Sequence, residues 1–342
     1  MAATPTYLFG KETPPPATLK KVVDGVHWLR FPLPFKLDHI NLWLLEDGDG
    51  WTLVDTGMGN EQTQAIWEEI LETQLGGRPL NQIIVTHFHP DHMGNAGWLS
   101  RKLSIPVYCA QGEWTQAKLL FAESDEDMAV VQRRFYTAAG MEEAFLDSVT
   151  ERPNRYKPRI TAPPATYRRL FSGDTIEIDG KAWRIIVGYG HAPEHLCLYR
   201  EEDAVLISGD QILPRITTNV SIWPHEPESD PLALYLKSLD FFEPLAESTT
   251  VLPSHDWPFT GLHDRLEVLR HHHDERLEEV YAACAEPHTA KEVLKILFDR
   301  ELDQHQTFFA IGESLAHLHY LEGLGRLDRS TDTNGVVRFF QA

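Results

Sequence analysis

Cysteine is scarce in this sequence. Cys109, Cys197 and Cys284 are its three thiols, far apart and odd in number. That argues against a disulfide framework and against a Cys-x-x-Cys metal or redox site. Long apolar runs are also missing. No stretch approaches the roughly 18 apolar residues of a membrane span, and the first residues lack the apolar core of a signal peptide. A soluble, cytoplasmic protein with no membrane partner is expected. Positive charge is in deficit: 31 Lys and Arg stand against 51 Asp and Glu, a net −20. Such a chain repels phosphate backbones on average, so nucleic acid is a disfavoured partner, although a local basic site stays open. There is no Gly-x-Ser-x-Gly run, no phosphate-binding P-loop and no dinucleotide glycine fingerprint.

What remains is a chain of 342 residues, 42% hydrophobic, long enough for a sizeable core and more than one domain. Residues 1–24 read as an irregular arm, with Pro14, Pro15 and Pro16 blocking regular structure. Strand-like runs follow at 28–33, 41–45 and 51–55, a helix at 60–74, and a short apolar strand at 82–86. Asp91 is expected to open a helix reaching about Leu103. Residues 113–149 read as helical, acidic and amphipathic. The loop 151–169 is basic, with Arg152, Arg155, Lys157, Arg159, Arg168 and Arg169 against one acid, Glu151.

Strands return at 174–178 and 182–187, across the turn signal Asp179-Gly180, then at 195–199, 204–208 and 249–253. A long charged helix covers 261–285. The tail holds a helix at 289–298 with Thr289 as N-cap, then one or two helices over 303–324 with a break near Gly312, then a hairpin at 325–330 and 336–341. Helices followed by a hairpin suggest a winged-helix module. Strands grouped in two halves suggest a sheet-on-sheet core covered by helices, an α+β architecture.

The chemistry concentrates after the strand at 82–86, in Thr86-His87-Phe88-His89-Pro90-Asp91-His92. His87 and His89 are two apart at a strand end and project to one side. Asp91 and His92 follow at a turn, where they can face a second ion. Imidazole and carboxylate together suit zinc and other borderline divalent metals. A polar loop of satisfied histidines is the bland alternative; four ligand-type residues in this pattern favour metal. Downstream, His191, Asp210 and His255 each lie just past the end of an apolar strand. Each is a weak signal alone, and together they are strong.

In this order the residues resemble the metallo-β-lactamase superfamily, over roughly residues 25–260. Asp55, in Leu53-Val54-Asp55-Thr56-Gly57, matches its first motif. The resemblance implies a four-layer αβ/βα sandwich, a catalytic domain over 25–270 with a helical and basic insertion at 111–169, and a winged-helix-like C-terminal domain over 271–342. It also implies that His87, His89 and His191 bind one metal, that Asp91, His92 and His255 bind the other, and that Asp210 bridges both. Zinc is the default pair, with iron or manganese also fitting the donor set. Asp55 and His195 are expected to orient ligands or form the pocket wall, and Arg215, just after Asp210, to line the pocket.

The implied reaction is hydrolysis by a metal-bridging hydroxide, with Asp91 and Asp210 fixing the nucleophile and moving its proton. The favoured substrate is a small molecule with an ester-type bond: a thioester, lactone or related acyl compound. A phosphodiesterase or endoribonuclease of the same fold is the first alternative, and a non-hydrolytic metal-binding protein the second. β-Lactam hydrolysis is a poor guess, given the Asp91/His92 pair and the bridging Asp210. The basic loop can clamp an anionic substrate through Arg155 and Lys157, with Tyr156 stacking. His271, His272 and His273 read as part of a solvated helix, and His225 and His263 as pocket-rim candidates. Residues 304–325 contain no Lys or Arg, so the tail suits packing, a lid or a homodimer interface better than phosphate contact.

Overall fold

A computed structural model describes residues 5–151 and 153–342. The first four residues of the expected arm, and Arg152 of the basic loop, lie outside the described residues. The chain divides into two compact units. The first comprises residues 1–122, 155–218 and 241–266, and the second comprises 123–154, 219–240 and 267–342.

Two seven-stranded sheets build the first unit. One runs, edge to edge, through Lys20–Val23, Val26–Pro32, His39–Asp47, Gly50–Val54, Leu80–Ile84, Val107–Cys109 and Arg168–Arg169. The other runs through Thr6–Tyr7, Phe259–Thr260, Thr250–Pro253, Val205–Gly209, His195–Arg200, Lys181–Gly188 and Thr175–Ile178. Each mixes antiparallel hairpins with parallel pairs, such as Gly50–Val54 beside Leu80–Ile84 and Val205–Gly209 beside Thr250–Pro253.

The apolar runs read as unbroken because the first sheet is covered on both faces. Along His39–Asp47, Ile40, Leu42 and Leu44 enter a core with Trp67, Ile70 and Leu99 of the helices Glu61–Thr73 and Ala96–Leu103. Trp43 and Leu45 point the other way, into a core shared with Trp183, Ile185, Leu198 and Ile207 of the second sheet. Helix–sheet and sheet–sheet cores therefore both form, and the α+β sandwich is the observed architecture. Each large side chain so buried contributes about 1.5–3 kcal/mol.

The predicted helix from Asp91 to Leu103 is interrupted. Pro90–Met93 forms one turn and Ala96–Leu103 the next. The break has a tertiary cause. The side-chain amide of Asn95 reaches back to the Met58 carbonyl at 2.5 Å, and its backbone N–H donates to Thr56 Oγ1. Residues 113–149 become three helices, Gln111–Ala122, Asp125–Ala138 and Glu143–Glu151.

In the second unit the tail carries the helices Ala290–Leu297 and Gln304–Gly323 and the antiparallel hairpin Leu327–Thr331/Val337–Gln341. Thr289 does cap its helix, in a capping box with Glu292. The expected break at Gly312 does not occur, since Gln304–Gly323 is continuous. The glycine serves close packing instead: a Cβ there would lie 2.6 Å from the Cβ of Ser221. His273 is a second correction. It is buried, with its ring 5.7 Å from that of Tyr235 and its Nδ1 3.4 Å from His317 Nε2, whereas His271 is exposed beside Glu275. Successive helical residues face different directions, so one histidine of the three turns inward. Among the described residues no helix is long and apolar enough to cross a membrane.

Candidate metal centre

The sandwich brings five strand ends together. Leu80–Ile84 leads into His87, and its neighbour Gly50–Val54 leads into Asp55. In the second sheet, Lys181–Gly188, Val205–Gly209 and Thr250–Pro253 lead into His191, Asp210 and His255. Two backbone bonds tie the sheets at this end: Leu196 N–H to the Thr86 carbonyl at 2.8 Å, and Asn41 N–H to the Ser254 carbonyl at 2.7 Å.

Seven side chains converge in two groups that could each hold a cation. The first is His87, His89, His191 and Asp210; the second is Asp91, His92 and His255. In the first, His87 Nε2 lies 3.0 Å from His89 Nδ1 and 3.2 Å from His191 Nε2. Asp210 faces both groups. Its Oδ2 is 3.5 Å from His191 Nε2 and 3.4 Å from His255 Nε2, and its Oδ1 is 3.6 Å from His92 Nε2. Asp91 Oδ2 is 3.7 Å from His92 Nε2 and 3.6 Å from His255 Nε2.

These residues fit divalent metal on the chemistry of their own atoms. His92 Nε2 and Asp210 Oδ1 are fully buried with no hydrogen-bond partner. Buried polar atoms left so are costly, and a cation held by these residues would satisfy them. Their partners also leave the inner nitrogens as lone pairs. A carboxylate only accepts, so His92 donates Nδ1–H to Asp55 Oδ2 at 2.8 Å and keeps Nε2 for the site. Thr86 spends its hydroxyl proton on Asp55 Oδ2 at 2.8 Å, so its oxygen accepts His87 Nδ1–H at 3.0 Å. His255 donates Nδ1–H to the His39 carbonyl at 2.8 Å. Each of these three rings thus carries the outer partner typical of metal-ligating histidine.

The electrostatics divide in the same way. Burial and neighbouring imidazoles hold His87 and His89 well below the usual histidine range. Burial also opposes charge on His92 and His255, but the carboxylates around them prevail and raise both. Asp210 is buried as well, yet His255 and His92 hold it well below the usual carboxylate range.

His195 does not join either group. Its Nε2 accepts the Asp210 backbone N–H at 3.0 Å, and its ring stacks on His87 at 4.7 Å. Burial and His191 push its pKa down to about 3, so it stays neutral and fixes the Asp210 turn. Gly209 makes this approach possible. At φ +55° it takes a left-handed conformation, and a Cβ would sit 2.3 Å from His195 Cε1. Arg215 pairs with Asp256, next to His255, at 2.8 Å.

The basic loop is fastened to the site's rim. Thr161 bonds the Gly94 carbonyl through both N–H and hydroxyl at 2.8 Å, and Gly59 N–H bonds the Arg159 carbonyl at 2.9 Å. Tyr156 is buried rather than presented for stacking, and its hydroxyl donates to the Phe88 carbonyl at 2.5 Å. Lys157 is exposed above the Phe121 ring, and Arg155 is half-buried. Sequence reading counts Arg159 among the basic residues of the loop but singles out Arg155 and Lys157. The Arg159 guanidinium lies 5.1 Å from the Phe35 ring centroid, and burial lowers its pKa while the Asp91 carboxylate opposes that. His225 pairs with Glu123 at 2.8 Å in the second unit, and His263 bonds the Glu243 carbonyl at the surface.

Residues 36–255 match the family model of the metallo-beta-lactamase superfamily. The chain belongs to that superfamily. Residues 277–342 match the metallo-beta-lactamase-like C-terminal domain. A crystal structure of a beta-lactamase domain protein from Burkholderia ambifaria is 44% identical, with a TM-score of 0.92 over 99% of this chain and 98% of that one. The metallo-beta-lactamase family protein TTHA1429 from Thermus thermophilus is 30% identical, with a TM-score of 0.79 over 94% and 99%. The probable metallo-hydrolase YqjP of Bacillus subtilis is 25% identical over 87% of this chain and 92% of its own length. As a superfamily member the chain is a metal-dependent hydrolase, with the metallo-beta-lactamase sandwich as its catalytic scaffold.

Proposed function

We propose that this metallo-hydrolase uses two divalent ions, zinc by default, to cleave an ester-type bond in a small molecule: a thioester, lactone or related acyl compound. The carrying observation is Asp210, whose two oxygens face the histidines of both ligand groups. Two divalent cations held there supply Lewis acidity and acidify water towards neutral pH. The protein's part is to hold the ligands in fixed tautomers and to move protons. Asp91 is partly exposed, unlike the buried His92 and His255 beside it, so its carboxylate is the group suited to pass a proton to a leaving group. Asp210, held ionised, orients the nucleophile.

The substrate class rests on charge. The net charge of −20, and a tail helix at Gln304–Gly323 without Lys or Arg, count against a nucleic-acid backbone as the ligand. Arg159, whose charge Asp91 favours, and the exposed Lys157 support a small substrate that carries an anionic group. The order of two helices and a hairpin supports reading the tail as winged-helix-like. The test is metal analysis with a substrate panel: an acyl thioester, a lactone, a bis-aryl phosphodiester, RNA and a chromogenic β-lactam. Preference for the acyl compounds is expected. Preference for RNA or the phosphodiester overturns the ester assignment, and full activity without metal overturns the mechanism.

A further inference from the structure

Glu113 is a fully buried carboxylate that belongs to neither ligand group. It sits in the first turn of Gln111–Ala122 but does not cap its own helix. Its Oε2 accepts the N–H of Phe88, the residue between His87 and His89, at 2.8 Å. Its Oε1 accepts the N–H of Glu194, three residues past His191, at 2.5 Å. One carboxylate therefore spans the two loops that carry the three histidines of the first group.

The tie is reciprocal. Glu194 Oε2 accepts the Gly112 N–H at 2.5 Å and so satisfies an N–H at the start of the helix. Glu194 is itself held by Arg169 at 3.5 Å. Gly112 leaves the room this needs, since a Cβ there would lie 3.0 Å from both Glu194 Oε2 and Pro193 Cβ. Burial pushes the Glu113 pKa up to about 8 and the two backbone N–H bonds oppose that, so keeping this carboxyl in the interior is unfavourable for stability alone. An apolar side chain would pack here without that cost, but it would lose the bonds to Phe88 and Glu194, the ties that act on the histidine-bearing turns themselves.

We propose that Glu113 is a positioning residue that fixes the separation of the His87–His89 loop from the His191 loop, and so sets the affinity of the first metal group and leaves the second unaffected. The inference rests on the two-metal reading. The Asp91–His92–His255 group depends instead on Asp55 and the His39 carbonyl.

The experiment titrates apo-protein with Zn2+ against a chromophoric chelator. Glu113→Gln keeps the shape but offers one acceptor oxygen, so one of the two N–H groups faces an amide. Zinc affinity at one of two sites should fall about 10–100-fold, the usual cost of removing a ligand's support. Two backgrounds assign the loss. With His255→Ala, which leaves the first group intact, Glu113→Gln should produce the full drop. With His89→Ala, which leaves the second group, it should produce none. Apo-protein melting and circular dichroism report whether the fold is kept. Should Glu113→Gln misfold, Glu113→Asp keeps the charge and, one methylene shorter, cannot reach both loops; the same selective drop is expected of it. Unchanged zinc affinity, or an equal loss in both backgrounds, overturns the proposal. Wild-type protein that binds no zinc overturns the metal reading itself, and this inference with it.

Discussion

Asp55 accepts the Nδ1–H of His92 directly and supports His87 through the Thr86 hydroxyl, so one buried carboxylate sets a ring in each metal group. Asp55→Asn should therefore weaken both zinc affinities, each by about 10–100-fold. This differs from the selective effect expected of Glu113. Zinc titration distinguishes them, and an Asp55→Asn protein with wild-type affinity at either site would count against the shared role.

His89→Ala and Asp210→Ala should abolish hydrolysis and lower metal content while leaving the fold largely intact. Each removes a proposed ligand, so the loss should exceed the ~100-fold typical of an outer partner. Asp210→Ala should affect both sites, because its two oxygens face both groups. Elemental analysis alongside kcat checks this. Retention of two equivalents of metal by Asp210→Ala would contradict the bridging role.

Gly209→Ala should lower both stability and activity. The left-handed backbone alone penalises alanine by about 1 kcal/mol, and the new Cβ collides with His195. Combining it with His195→Ala should relieve the collision but not the backbone penalty. Melting of the three variants separates the terms. Equal destabilisation by Gly209→Ala in both backgrounds would remove the steric argument.

Glu313 makes the second unit sensitive to pH. Burial pushes its pKa from 4.5 up to about 7, with Asn219 and Arg276 opposing. A raised carboxyl favours the folded state fully below its ordinary pKa, and that advantage is lost as pH rises through about 7. Glu313→Gln cannot lose it. The variant should melt close to wild type near pH 5 and several degrees higher near pH 8, on the scale of ~2–4 °C per kcal/mol. A melting difference that does not change with pH would rule out this titration.

If the substrate is anionic, Arg159→Gln should raise KM by about 10–100-fold, the weight of a hydrogen bond to a charged group, with a smaller effect on kcat. Charge reversal at Arg155 and Lys157 should raise it less, since Lys157 is exposed and lies above Phe121. An unchanged KM in all three variants would remove the basic loop from substrate recognition.

Much of the centre was legible because ligand chemistry is local. His87, His89, Asp91 and His92 fall within six residues, and His191, Asp210 and His255 each follow an apolar strand, so residue type and strand ends sufficed to name them as candidates. Glu113 and Arg159 were not legible. A glutamate in the first turn of a helix and an arginine in a basic loop look like surface residues, and nothing near them in sequence reveals what packs over them. Tyr156 was misjudged for the same reason: its aromatic ring suggested stacking, but its position placed it beneath Phe88.

The sequence by itself determined the ligand-type residues and the two groups of strands, because residue type and apolar periodicity depend on which residues follow one another, and the resemblance those residues carry pointed to the sandwich and the hydrolytic class. Tertiary structure alone decided which carboxylate supports which ring, why Gly209 and Gly312 are glycines, and where the basic loop is fastened. Those outcomes depend on residues tens of positions apart meeting at a few ångströms, a distance that chain order does not encode.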